Sequence, residues 1–245
     1  MGKYGNCSLC NKYNELQESH IICAAAHRKT KINGKNVAMG IRKGAFNGKN
    51  QKDYSEELLC YDCEQRLSVI EGEAIKACHT AYSQKNRRRY KIPTESIRAL
   101  VAFVFIVFWR ASKSKCIDTY HVSADLESKL RDAFFNSVFP DSHTLSVSIS
   151  FLKVFDIEQS QGLILAPMYA KIPGSATAHY FSAFGLVFRM FTPGGDFEVD
   201  EGEFLNVEKE YGFIFKLRDW ENELLDSMLA QSAVQAIIEG ASSSA

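Results

Sequence analysis

Four cysteines fall in two C-x-x-C pairs, Cys7/Cys10 in "CSLC" and Cys60/Cys63 in "CYDC". Each such turn aims two thiolates at one ion, and two turns complete a tetrahedral four-sulfur site with metal–sulfur distances of about 2.3 Å. The expectation is a structural Zn2+ on Cys7, Cys10, Cys60 and Cys63, with every position filled and none open for chemistry. A second group of residues has a different potential. His20, in "LQESHIIC", follows the first pair, and the stretch after the second pair carries Glu64 and Glu71. A histidine on a strand end can deprotonate a water, and acids on a neighbouring helix can hold a divalent ion against a phosphate. Glu64 and Glu71 are seven apart, two helical turns, and therefore share a face. Glu56 and Glu57 stand just before the second pair. The candidate catalytic set is His20 with Glu64, helped by Glu57 or Glu71, around Mg2+ or Mn2+.

The elements that must position these residues are partly legible. Residues 7–23 read as a knuckle followed by a β-hairpin, with His20 at the head of a short apolar strand. Residues 27–53 are rich in Gly, Asn and Lys and read as a long, basic, mostly irregular segment. Residues 55–86 are helical in pattern, with Leu67, Ile70, Ala74 and Ala77 at helical spacing. "RRRYKIP" at 87–93 ends a first module, so the expected division is 1–91, then a helical segment over 92–139, then a sheet with a terminal helix over 140–239 and a flexible tail over 240–245. Thr94 and Ser123 are expected helix caps. After Pro140 the period changes to two, and "HTLSVSISFLKVFDI", "GLILAPMYAKI", "HYFSAFGLVFRMF" and "YGFIFKL" read as strands. The fold class is α+β: a small zinc-stabilised module, a helical pair, and a mostly antiparallel sheet with a C-terminal helix.

Composition narrows the function classes. The net charge is zero, yet residues 1–91 carry 17 Lys+Arg against 9 Asp+Glu, and the remainder 12 against 20. A basic amino-terminal part points to nucleic acid, with Arg28, Lys29, Lys31, Arg42, Lys43, Arg87, Arg88 and Arg89 as candidate phosphate contacts. The acidic remainder points to a protein partner. The longest apolar run, "ALVAFVFIVFW" at 99–109, has about half the ~20 residues needed to cross a bilayer, so it reads as a buried helix and no membrane role is expected. Seven cysteines in two close pairs plus singles suit a reducing, cytoplasmic setting and a metal better than disulfides, and Cys78 and Cys116 read as small buried residues. Gly-rich phosphate loops and Ser or Cys nucleophile signatures are missing.

"CSLC…LQESHIIC…EELLCYDCEQRLSVIE", with "FWRAS" at 108–112, resembles the HNH (His-Me finger, ββα-metal) endonucleases. It is especially similar to a bacterial and phage branch with "SHIIP", "LLC-x-x-CE" and "WRAS" signatures. The resemblance covers residues 7–72 and 100–112. It implies His20 as the general base, Glu64 as the helix acid, and zinc on Cys7, Cys10, Cys60 and Cys63. It also implies a hydrolase that cuts DNA or RNA, in a setting such as phage defence or mobile elements. Ser19 stands where the pattern has an acid, Cys23 where it has proline, and the asparagine before the second knuckle is missing. Two readings therefore stand side by side: an active metal-dependent nuclease, or a zinc-stabilised module without catalysis that binds nucleic acid or a protein, such as a phage-encoded inhibitor.

Overall fold

The computed structural model describes residues 2–29, 37–42, 45–50, 54–141, 143–152, 163–171, 176–192 and 204–216. The expected terminal helix at 219–239, the tail, Lys31 and Lys43 lie outside these residues. The architecture is α+β, with mostly antiparallel pairing and four helices among the described residues.

A three-stranded sheet, with its second strand in the middle, carries the first knuckle. It is built from β1 (Lys3–Asn6), β2 (Tyr13–His20) and β5 (Ser55–Cys60), all antiparallel. The hairpin expected after the knuckle in fact spans it: β1 and β2 flank residues 7–12. His20 is also not the head of a strand but the last residue of β2. The "IIC" after it turns inward, with Ile21, Ile22 and Cys23 buried, and leads into the short helix α1 (Ala24–Lys29). Burial of these apolar side chains outweighs their β propensity.

The segment expected to be irregular forms two strands, β3 (Val37–Arg42) and β4 (Ala45–Asn50). Residues 55–60, expected to open a helix, form β5, and α2 runs from Tyr61 to Tyr82. Next come β6 (Arg89–Pro93), α3 (Thr94–Lys113) and α4 (Ala124–Phe135). Five more strands follow: β7 (Ser146–Phe151), β8 (Leu163–Lys171), β9 (Thr177–Ala183), β10 (Leu186–Thr192) and β11 (Tyr211–Lys216). They join β3, β4 and β6 in an eight-stranded sheet ordered β4-β3-β8-β9-β10-β7-β11-β6, antiparallel except at β3–β8 and β7–β11. Strand β6 pairs with β11, so the chain stays within this sheet across the boundary expected at 91/92.

Helix α3 is the centre of the core. Leu100 through Ala111 are all buried, and the rings of Phe103 and Phe108 pack on Phe181 of β9. Each such large side chain removed from water contributes about 1.5–3 kcal/mol. Among the described residues no helix is long and apolar enough to cross a membrane. Ser123 caps α4 by accepting a hydrogen bond from Leu126 N, as expected. Thr94 is not a cap: Pro93 holds that position, and the Thr94 hydroxyl donates to the carbonyls of Lys209 and Glu210. The run "HYFSAFGLVFRMF" is a hairpin rather than one strand, because Phe184 and Gly185 both adopt positive φ, 58° and 73°. Two consecutive left-handed residues close a two-residue turn whose twist matches its strands, here without the usual Asn-Gly signature.

Candidate metal centre and the buried arginine beside His20

The first knuckle is shaped by backbone hydrogen bonds. Cys7 N donates to Lys12 O at 2.9 Å and Asn11 N to Cys7 O at 2.8 Å, with Asn11 in the left-handed region. Ser8 N donates to Leu58 O at 2.9 Å, which brings the knuckle against β5 and its Cys60. Arg131 of α4 fixes the far side by donating from Nε and Nη2 to Leu9 O. The second pair sits where β5 becomes α2: Cys60 ends the strand and Cys63 lies in the first helical turn.

Cys7, Cys10, Cys60 and Cys63 converge, their sulfurs all within 4.8 Å of one another, so they can hold a metal ion such as zinc. Cys10 Sγ and Cys60 Sγ are 3.8 Å apart. A tetrahedron with ~2.3 Å metal–sulfur bonds has edges of roughly 3.8 Å, whereas a disulfide would bring the sulfurs to about 2.05 Å. The electrostatics point the same way. Burial pushes the Cys60 and Cys63 thiols up, and the Cys7 and Cys10 thiols push both further, while hydrogen bonds from the Cys63 backbone and thiol draw Cys60 down. Burial also raises Cys7, but hydrogen bonds from the backbone at Cys10, Cys60 and Leu9 outweigh it and bring the thiol down to about 7. Four crowded sulfurs cannot all ionise alone; a divalent cation at their centre removes that repulsion.

His20 lies at the other end of the β2–β5 pair. Leu16 is opposite Cys60 and His20 opposite Ser55, which puts the histidine roughly 15 Å along the strand from the cysteine end. Its ring is half-buried and 6.1 Å from that of His27, which is itself buried. Helix α2 passes alongside with Glu64 and Glu71 on one face, as their spacing predicts. Both acids, however, meet Arg110 of α3. The guanidinium is 1% exposed; its Nη1 donates to Glu71 Oε1 at 2.6 Å and to the His20 carbonyl at 3.1 Å, and its Nη2 donates to Glu64 Oε2 at 3.0 Å. Burial raises the Glu71 carboxyl above its ordinary range, opposed by the Arg110 charge and reinforced by Glu64. The Arg110 guanidinium is raised: burial works against its charge, but Glu71 and Glu64 hold it.

The other expected site residues are dispersed. Glu57 is exposed and faces Lys3 at 3.5 Å. Glu56 accepts from Ser114 Oγ at 2.8 Å and from Lys115 N at 2.6 Å. Glu18, on the strand beside Ser19, accepts from Ser55 Oγ at 2.7 Å. Among the described residues, no group of three or more His, Cys, Asp or Glu besides the four cysteines brings its ligand atoms within 4.8 Å of one another. Arg28 is exposed on α1, Lys29 closes that helix and Arg42 ends β3. Arg87 and Arg88 are exposed in the turn after α2, and Arg89 opens β6. Cys78 is buried as expected, but Cys116 is exposed.

The residue whose part in the site the sequence showed least is Arg110. Its signal is "FWRAS": an arginine inside a run of buried apolar residues, where a charge persists only if it is paired. Compared with known protein families, curated proteins and solved structures, the chain matches none.

Proposed function

We propose that the protein is a zinc-stabilised, HNH-like ββα module that binds nucleic acid without cutting it. The observation that carries this reading is the position of Arg110. In the HNH pattern a divalent ion would be drawn to the helix acids beside the strand histidine; here a buried guanidinium stands between Glu64, Glu71 and the His20 carbonyl. A second cation there would meet a like charge and two carboxylates that each already give one oxygen to Arg110. Zinc on the four cysteines would hold the knuckles together and leave the metal coordinatively closed. Binding itself rests on the basic amino-terminal part, with Arg28, Arg87 and Arg88 exposed. The seven cysteines are thiols, four of them gathered round one centre, which supports a cytosolic setting.

The second reading, an HNH endonuclease using Mg2+ or Mn2+, is favoured by two specific features. His20 ends its strand at the pole opposite the cysteines, beside α2. Glu64 also keeps one oxygen, Oε1, outside the Arg110 contact. In that reading His20 would accept the proton of the attacking water, and Glu64 would be one of the residues that hold the ion.

One experiment separates the two. Zinc-loaded protein and His20→Ala are incubated with plasmid, linear duplex and single strands in EDTA, Mg2+ or Mn2+, and affinity for each substrate is followed across salt. The binding reading expects no cleavage and an affinity that falls steeply with salt in both proteins. Cutting that requires added metal and disappears in His20→Ala, with zinc content unchanged, establishes the nuclease instead.

A further inference from the structure

The far edge of the large sheet carries a second arrangement suited to nucleic acid. Tyr211, Phe213 and Phe215 alternate along β11 and therefore project from one face, while Gly212 and Ile214 turn to the core. A Cβ at Gly212 would lie 2.7 Å from Leu205 and 3.3 Å from Ile97, so this inner side is closed by packing. On the outer face the ring centroids step by 5.4 Å from Tyr211 to Phe213 and by 5.8 Å from Phe213 to Phe215. Tyr211 is 43% exposed. The edge strand β6 sets Lys91 opposite Phe213 and Arg89 opposite Phe215. Lys91 Nζ rests 3.9 Å from the Tyr211 ring centroid and Arg89 Cζ 4.8 Å from that of Phe213. Arg87 and Arg88, both exposed, extend the cationic edge. Among the described residues, the acids nearest in the chain, Glu208 and Glu210, precede Tyr211.

We propose that this face, Tyr211–Phe213–Phe215 with Arg87, Arg88, Arg89 and Lys91, binds single-stranded nucleic acid by stacking unpaired bases on the rings and pairing phosphates with the cations. Every base has a π-face, so a row of rings captures single strands without reading sequence. A duplex has its bases already stacked on each other and offers only phosphates. The cations now over the rings are exposed, and a phosphate contact replaces the ring contact that each gives up. An acidic peptide would satisfy the cations but leave the rings unused, so charge and aromaticity together favour the single strand. The rings lie in a different sheet from His20 and the cysteines; Arg87 and Arg88 belong to the basic part invoked above as well, so the test reads Tyr211, which that reading does not use.

The test is fluorescence anisotropy with full-length, zinc-loaded protein and labelled oligo-dT, oligo-U, a duplex of matched length and poly-glutamate. Tyr211→Ala should weaken single-strand binding by roughly 5- to 100-fold, leave duplex binding and the salt slope unchanged, and keep the thermal midpoint. Tyr211→Phe should retain wild-type affinity. Arg89→Ala with Lys91→Ala should flatten the salt dependence by about 0.7 for each phosphate that is no longer neutralised. The proposal is overturned if Tyr211→Ala binds single strands like wild type, or loses duplex and single-strand binding equally. It is also overturned if poly-glutamate competes as well as oligo-dT, or if no single strand binds. Failure at Tyr211 leaves the proposed HNH-like module standing, whereas metal-dependent cutting by His20 overturns the non-cutting reading and leaves this surface untouched.

Discussion

Arg110 is one cation facing two carboxylates, and that imbalance sets what each substitution should do. Removing the arginine strands Glu64 and Glu71 beside each other in the core; Arg110→Met should cost about 3–5 kcal/mol, measured by chemical denaturation. Removing one acid is milder, because Glu64 still pairs with the guanidinium. Glu71→Gln keeps an acceptor at the same place and should cost under about 2 kcal/mol near neutral pH. The pH profiles should also diverge. Burial raises the folded Glu71 carboxyl above its unfolded value near 4.5. Its contribution is therefore fully present below that unfolded value and is lost as pH rises through the raised one. Wild-type stability should decline over this window relative to Glu71→Gln. Parallel profiles would mean that Glu71 ionises as freely in the fold as in the unfolded chain.

At the scale of elements, hairpins and helices meet at a few sterically closed points. The β9–β10 turn is one. Gly185 has φ 73°, and a Cβ there would lie 2.1 Å from the Tyr82 ring at the end of α2. Gly185→Ala meets both a disfavoured backbone and an occupied space, and should lower the thermal midpoint by several degrees, corresponding to about 1–3 kcal/mol. How legible the elements were follows from what their residues sense locally. α3 could be read directly because its apolar run exceeds any strand, β7 because it alternates, and β8 and β11 because they are short, largely apolar runs. The β9–β10 turn was hidden because Phe184 takes the left-handed conformation without a side chain that favours it. β5 was hidden because "SEELLC" has strong helix formers, Glu and Leu, overridden by pairing with β2. At the candidate site, the cysteine spacing alone located the metal centre, since two C-x-x-C turns have few other uses. The roles of Glu64 and Glu71 were not legible, because the partner that claims them is 46 and 39 residues further along the chain.

For the molecule as a whole, a metal ion on the four cysteines would tie distant segments together. Zinc analysis should find about one ion per chain, and Cys60→Ser or prolonged chelation should release it and lower the melting transition, since binding energy at such sites is folding energy. An unchanged melt after complete metal loss would show that packing alone holds the knuckles. The two knuckles also enclose a detour. Between them the chain leaves the small sheet through α1, lays β3 and β4 on the outer edge of the large sheet beyond β8, and returns as β5. During synthesis this has a consequence for timing. The metal-binding set is complete once residue 63 has emerged, about a hundred residues before β8, the strand beside β3, leaves the ribosome at ~5–20 residues per second. With a metal taken up at that stage, the nascent chain would for several seconds be a closed loop from which a β-hairpin hangs with no neighbour on either edge. Unpaired edges of this kind are templates for aggregation, so this protein's yield in the cell should depend on chaperone supply in that interval as much as on the stability of the finished fold.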